Sequence, residues 1–309
     1  MNYTSEILEL LIRKVVIESE YSSLTKFKEE YSDSIKGTHS EKYTKSVEIS
    51  FNKLIDFVND IPIIKIDSRI IERFIIHKFN KSKYSAALYY RNLKAAFNKA
   101  LLWGYIPSNP WLMVKFPKFQ RPRPSFINEM QLNQIIDKVE PAHIKDIYIF
   151  AFYTGLRLSE LLNLRWENVN LKESIIQIGD DDFITKSKKI RTIPLCLKAY
   201  EVLSNRVPKI IHQHKKNFVF TKSNSYPFTG DYLSKRFKKA VRAAGMDDKV
   251  HFHSLRHSFA SNLIMKGVPI YHLKDLLGHS SIAVTEIYSH LSIDALKEAV
   301  NKFDMVAVS

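Results

Sequence analysis

Apolar residues recur at helical spacing along most of this chain. Between Ser40 and Ile61, the positions Val47, Ile49, Phe51, Leu54, Ile55 and Phe57 fall near the period of a helix buried on one face. The same pattern runs through residues 69–79, with Ser68 placed to cap the first turn. A longer amphipathic stretch follows Ser82 and Ser85: "AALYYRNLKAAFNKALLWGYI" sets Leu88, Leu93, Phe97 and Leu101 on one side and Arg91, Lys94 and Lys99 among the rest. Two prolines in "IPSNP" then stop the helix.

Residues 115–126, "KFPKFQRPRPSF", hold three prolines and four basic residues with no acid, the composition of an extended, semi-rigid connector. Beyond it "NEMQLNQIIDKV", "IKDIYIFAFYTGL" and "LSELLNLRWENV" read as helices. The period then changes. "SIIQI", "DFITKS" and "KIRTIPL" are short β-branched runs between polar turns, which predict a small antiparallel sheet. From about Thr229 helical patterns return to the end. No internal repeat and no low-complexity segment interrupts the chain. The expected fold is mainly α with a small antiparallel sheet, in two domains. Residues 1–21 read as an apolar-rich helical extension, 22–114 as a small helical domain, 115–124 as the linker and 125–309 as a larger domain.

Charge narrows the class of partner. The 309 residues carry 47 Lys and Arg against 32 Asp and Glu, a formal net charge of +15, which points to a polyanion such as nucleic acid, with a membrane surface as the competitor. No stretch has the layout of a signal peptide and none approaches the roughly 20 apolar residues of a spanning helix, so a soluble cytoplasmic protein is expected. The single cysteine, Cys196, follows a strand-like run and reads as a small core residue rather than a reactive thiol.

Residues with chemistry gather in a few places. In "YTGLRLSELLNLRW", Thr154 and Gly155 break a helix and Arg157 opens the next, with Glu160 one turn on, where it can pair with the arginine. In "HSLRH", His253, Arg256 and His257 share one helix face. That spacing also suits a satisfied polar cluster, and Ser254 stands where a zinc protease needs glutamate. "LLGHSS" sets His279 just past a helix end, with Tyr288 about two and a half turns further.

Taken together these segments resemble the tyrosine recombinases, or phage-type integrases, from about residue 22 to residue 295. "TGLRLSEL" resembles the family's first arginine box and "TKSKKIRTIPL" its lysine turn. "HSLRHSFASNL" resembles its His-x-x-Arg-His box, and "LLGHSSIAVTEIY" the Gly-His box that leads to the nucleophile. "ALYYRNLKAAFNKALLWGYIPSNP" is similar to the last helix of the family's core-binding, SAM-like domain. The resemblance implies a two-domain DNA clamp that cuts and rejoins strands at specific sites. The route is a covalent 3′-phosphotyrosyl intermediate and a Holliday junction.

The resemblance also implies roles. Arg157 and Arg256 match the phosphate-clamping arginines, His253 and His279 further phosphate-binding positions, and Tyr288 the nucleophile. Lys186 is the best match for the general acid; Lys188, Lys189 and Arg191 lie in the same stretch, with phosphate contact along the DNA backbone as their simpler role. Glu160 and His257 are assigned to support. With the positive charge supplied by side chains, no metal and no cofactor is expected.

The groove-inserting helix is expected over Ser85–Trp103, with Tyr90, Arg91 and Lys94 reaching DNA, unless those residues only flank a packed core. Lys115, Lys118, Arg121 and Arg123 of the linker are expected to follow the backbone. The expected partner is a double-stranded recombination site, bound by a homo- or hetero-tetramer. The apolar stripe Leu296, Ala299, Val300 and Phe303 then docks on a neighbour or, failing that, on its own domain. A nucleoid-associated protein of bacterial type fits these expectations, serving Xer-like resolution or mobile-element integration. Two other functions compete: a DNA-binding protein of the same fold without catalysis, and a metal-dependent nuclease built on the histidines.

Overall fold

The computed structural model describes residues 22–120, 122–179, 190–207, 217–222 and 226–291. The chain divides into two compact units, Met1–Arg121 and Pro122–Ser309.

Among the described residues the first unit has four α-helices: α1 Leu24–Ile35, α2 Glu41–Val58, α3 Ser68–Lys81 and α4 Lys83–Leu102. Each starts where a short polar side chain accepts from a first-turn amide: Ser23 from Lys26, Ser40 from Tyr43, Asp67 from Ile70 and Ser82 from Ser85. Asp67 therefore caps α3 in place of Ser68, which is already helical. Leu24, Phe27, Val47, Phe51, Leu54, Ile71, Phe74, Leu93, Phe97 and Trp111 close the core. The Asn92 amide donates to the Ser46 carbonyl and to the Ser46 and Ser50 hydroxyls, which ties α4 to α2 in the interior. The buried stripe of α4 is Ala86, Leu93, Ala96, Phe97 and Ala100, whereas Leu101 is exposed and Leu88 half-buried. Alanines at 86, 96 and 100 thus share the inner face with Leu93 and Phe97.

The second unit is built around α6, Lys145–Thr154, which buries Ile147, Tyr148, Phe150, Ala151, Phe152 and Thr154 and so is enclosed on nearly every side. Around it lie α5 Glu129–Asp137, α7 Leu158–Leu162, α8 Leu197–Ser204, α9 Gly230–Ala243, α10 Phe252–Met265 and α11 Ile270–Leu277. A three-stranded antiparallel sheet runs β1 Val169–Asn170, β2 Ile175–Ile178, β3 Arg191–Pro194 in that order. Its register pairs Ile176 with Ile193 and Ile178 with Arg191.

Two expectations change here. The helix read through "LSELLNLRWENV" stops at Leu162, because Leu164 and Trp166 hydrogen bond to Val219 and Asn217, and a 3₁₀ turn at Trp166–Asn168 then leads into β1. Cys196 is exposed rather than core, since it stands at the N-cap of α8 just after β3. All of "DFITKS" lies outside the described residues. No helix among the described residues is long and apolar enough to cross a membrane.

Candidate active site

Three chain breaks bring the site together. Gly155 ends α6 in the left-handed region (φ 63°), and a Cβ there would lie 2.4 Å from the Phe259 ring. The next residue but one, Arg157, sits at the N-cap of α7, and its backbone N–H donates to Glu160 Oε2 at 2.8 Å while its guanidinium donates to Oε1 at 2.7 Å. Glu160 is thus oriented by the start of its own helix, in the manner of a capping box. Gly278 ends α11, also left-handed (φ 64°), and a Cβ there would meet the Arg191 guanidinium at 2.8 Å.

Three guanidiniums converge on the C-terminus of α11. Arg191 donates to the Leu276 carbonyl (3.0 Å), Arg256 to Leu277 (2.6 Å) and Arg157 to Gly278 (3.2 Å). A helix C-terminus carries unpaired carbonyls and partial negative charge, so cations settle there. Beneath them Glu160, 2% exposed, takes two hydrogen bonds from Arg191 (3.1 and 2.8 Å) and lies 4.0 Å from Arg256. Burial alone would raise its pKa. The Arg191 hydrogen bonds, then Arg191's charge and Arg157, outweigh burial and hold Glu160 at about 2. Arg256, 3% exposed, also donates to the Gly155 carbonyl at 2.7 Å. Burial, then Arg157, works against its charge, but a guanidinium keeps its proton.

The imidazoles and the phenol meet along the same helix, where His253, Arg256 and His257 lie within one turn of each other. His253 and His257 meet edge to face with centroids 4.8 Å apart. His257 Nδ1 lies 2.5 Å from the Tyr288 hydroxyl. His279 Nδ1 lies 2.9 Å from the Thr285 hydroxyl. Tyr288 is 3% exposed and packs with Ala260, Ile264, Leu273 and Leu277. It stands on a short 3₁₀ turn, Glu286–Leu291, after another at Ile282–Val284, and not on a continuous helix from His279. Burial pushes the phenol up to about 12, against Arg256. Burial, then His253, lowers His257 to about 3; burial, then Arg256, lowers His279 to about 4.

These depressed imidazoles set a pH dependence. An ordinary imidazole titrates near 6.5, so as pH falls below that the unfolded chain takes up protons that folded His257 and His279 refuse until about 3 and 4. The stabilisation is complete above about pH 6.5 and is lost as pH drops towards 4. The thermal midpoint is expected to fall between pH 7.5 and 5, and the fall to be shallower in the double variant His257→Asn, His279→Asn. A midpoint that falls as steeply in that variant would contradict the assignment.

The structure thus gathers Arg157, Glu160, His253, Arg256, His257, His279 and Tyr288 around α10 and the end of α11. Lys186, Lys188, Lys189 and Arg121 lie outside the described residues. Arg191, with 9% of its side chain exposed, donates to Glu160 and Leu276 and so stands inside the cation cluster. The sequence signal was its alternation in "KIRTIPL", which turns Arg191 to the same sheet face as the buried Ile193. His257 does more than support, since it touches the phenol. In the first unit the Tyr90 hydroxyl donates to the Val114 carbonyl at 2.7 Å and its ring packs on Trp111 and Phe116. Lys94 lies 5.5 Å over that ring, while Arg91, Lys115, Lys118 and Arg123 are exposed. Among the described residues no group of three or more His, Cys, Asp or Glu side chains could hold a metal ion.

Known proteins are similar to this chain in sequence and in fold. The phage integrase family matches residues 125–294, more than half of the chain, and the phage integrase SAM-like domain matches residues 23–118. A tyrosine recombinase of Thermosipho africanus is 29% identical over 276 residues, which cover 85% of this chain and 94% of that protein. Tyrosine recombinase XerC of Thermodesulfovibrio yellowstonii is 29% identical over 252 residues, 77% of this chain and 82% of its own. Among solved structures, the Tn1549 transposon integrase in complex with a circular intermediate DNA superposes with a TM-score of 0.73 at 19% identity, over 89% of this chain and 99% of that one. A lambda integrase dimer bound to a core site gives 0.71 at 19% identity, over 85% and 97%. The chain belongs to the phage integrase family, the tyrosine recombinases.

Proposed function

We propose that this site-specific recombinase cuts and rejoins double-stranded DNA through a 3′-phosphotyrosyl bond on Tyr288, with side-chain cations in place of a metal. The observation that carries the reading is the convergence of Arg157 and Arg256 on the end of α11, next to His279, with His257, the residue after Arg256, reaching the Tyr288 hydroxyl. Attack on a phosphodiester gathers charge on the non-bridging oxygens, and preorganised donors stabilise that charge. A guanidinium's planar fork reaches two oxygens and stays charged. The carbonyls that hold these forks in the free protein fix their direction before DNA arrives. A scissile phosphate would take the remaining donors, joined by His253 and His279. Departure of the 5′ oxygen needs a proton, which Lys186 is assigned to supply. Energy stored in the phosphotyrosyl bond then serves rejoining, with no external source.

The exposed cations Arg91, Lys115, Lys118 and Arg123 suit backbone contact, which sets affinity and its salt dependence. Strand exchange between two duplexes requires several subunits. The solved relatives include a lambda integrase tetramer bound to a Holliday junction, with a TM-score of 0.70 at 20% identity over 85% of this chain. We assign the same kind of assembly here. The apolar stripe of 292–309 that would link subunits lies outside the described residues. The reading serves Xer-like resolution and mobile-element integration alike.

One experiment separates this from both competitors. On a nicked suicide substrate, with chelator in excess, the chain is expected to accumulate a covalent protein–DNA adduct at a 3′ end. Binding without adduct would favour the non-catalytic DNA-binding protein, and cleavage abolished by chelator the metal-dependent nuclease.

A further inference from the structure

We propose that His257 is the general base of strand cutting, receiving the phenolic proton of Tyr288 on Nδ1. This rests on the reading of Tyr288 as nucleophile. Among the described residues His257 Nδ1 is the one hydrogen-bond partner of the phenol oxygen, at 2.5 Å. The ring is fixed by its place on α10 and by the perpendicular contact with His253. A proton acceptor must lie within hydrogen-bond reach of the proton it takes, and this geometry meets that condition before DNA is bound.

The electrostatics supply a gate. The groups that face His257 are His251, His253 and Arg256 on α10, His279 beyond α11, and Tyr288 itself. Among the described residues they include no carboxylate, so in the free protein the ring stays neutral and the phenol keeps its proton. A bound phosphodiester adds negative charge beside Arg256, which makes an imidazolium at His257 easier to form. In the forward step the Tyr288 oxygen bonds to phosphorus, its proton passes to Nδ1, the bond from phosphorus to the 5′ oxygen breaks, and the general acid protonates that oxygen. In the reverse step a 5′ hydroxyl attacks, the phenol oxygen leaves, and His257 returns the proton. Each step conserves protons and needs no other reactant.

Two variants test this, read by single-turnover cleavage at saturating DNA. His257→Asn keeps a hydrogen-bond acceptor near the phenol but takes no proton in the neutral range. It is expected to cut roughly 100- to 10,000-fold more slowly near neutrality. Its rate should keep climbing with pH across about pH 6 to 9, where the parent levels off, because hydroxide must replace the base. His257→Ala is expected to be partly restored by added imidazole. A parental rate and profile in His257→Asn would overturn the proposal. So would a loss that neither pH nor imidazole changes, since it would mark a role in packing alone. Thermal midpoints show whether each variant folds, and the Asn variant carries the test if the Ala variant does not. If Tyr288→Phe still forms the adduct, the nucleophile assignment has failed, and not the base.

Discussion

Tyr288→Phe is expected to bind its DNA site with parental affinity and to form no covalent complex. The substitution keeps the ring that packs with Ala260, Ile264, Leu273 and Leu277 and removes the one oxygen placed for attack. Its structural cost is the lost hydrogen bond to His257, which leaves a half-buried ring nitrogen without that partner and takes about 1 to 3 kcal/mol from stability. The fold withstands a loss of that size while the chemistry has no substitute, because among the described residues no other phenol hydroxyl hydrogen bonds to His257. A gel of the suicide substrate reads the adduct and a filter or mobility assay reads binding. An adduct of unchanged yield would remove Tyr288 from the mechanism.

Arg256→Ala and Arg157→Ala should each lose about 2 to 4 kcal/mol of transition-state stabilisation, by analogy with removal of an oxyanion donor. That is roughly a 30- to 900-fold drop in single-turnover cleavage. The two variants should differ in stability. Arg256 is 3% exposed and bridges the Gly155 and Leu277 carbonyls, so its removal leaves two acceptors and part of the Glu160 charge without their cation. Arg157, with 19% of its side chain exposed, gives up a pair that water can partly replace. The thermal midpoint should therefore fall further in Arg256→Ala, although the rate losses are similar. Near-parental cleavage by either variant at saturating DNA would count against the clamp. Arg256→Lys should recover little, because a point charge cannot span two carbonyls and a phosphate oxygen together.

Much of the arrangement is legible in the chain because it is local. Helix caps at Ser23, Ser40 and Ser82, the glycine stops at 155 and 278, and the one-turn spacing of His253, Arg256 and His257 all follow from residues within one or two turns of each other. The order of the four motif boxes is likewise linear information, and it suffices for family membership. Where local signals compete with packing they mislead. Leu88 and Leu101 look like the core face of α4 together with Leu93 and Phe97, yet only the latter two are buried, and Ala86, Ala96 and Ala100 complete that face. Leu162 ends a helix that the apolar pattern continues, since Val219 supplies a strand-like partner from 55 residues away in sequence.

The sequence by itself determined the helical class, the small sheet, the basic character and the set of residues able to handle a phosphodiester. Tertiary structure alone decided how those residues are wired. Arg157 reaches Gly278 across 121 residues, Arg256 reaches Gly155 across 101, and Arg191 reaches Leu276 across 85. Only the packed fold makes one carboxylate, Glu160, the shared counter-charge of three arginines. Only the packed fold sets an imidazole against the buried phenol. The physical reason is range: propensity, capping and periodicity act over a few residues, whereas hydrogen bonds and burial depend on which surfaces meet once the core has closed.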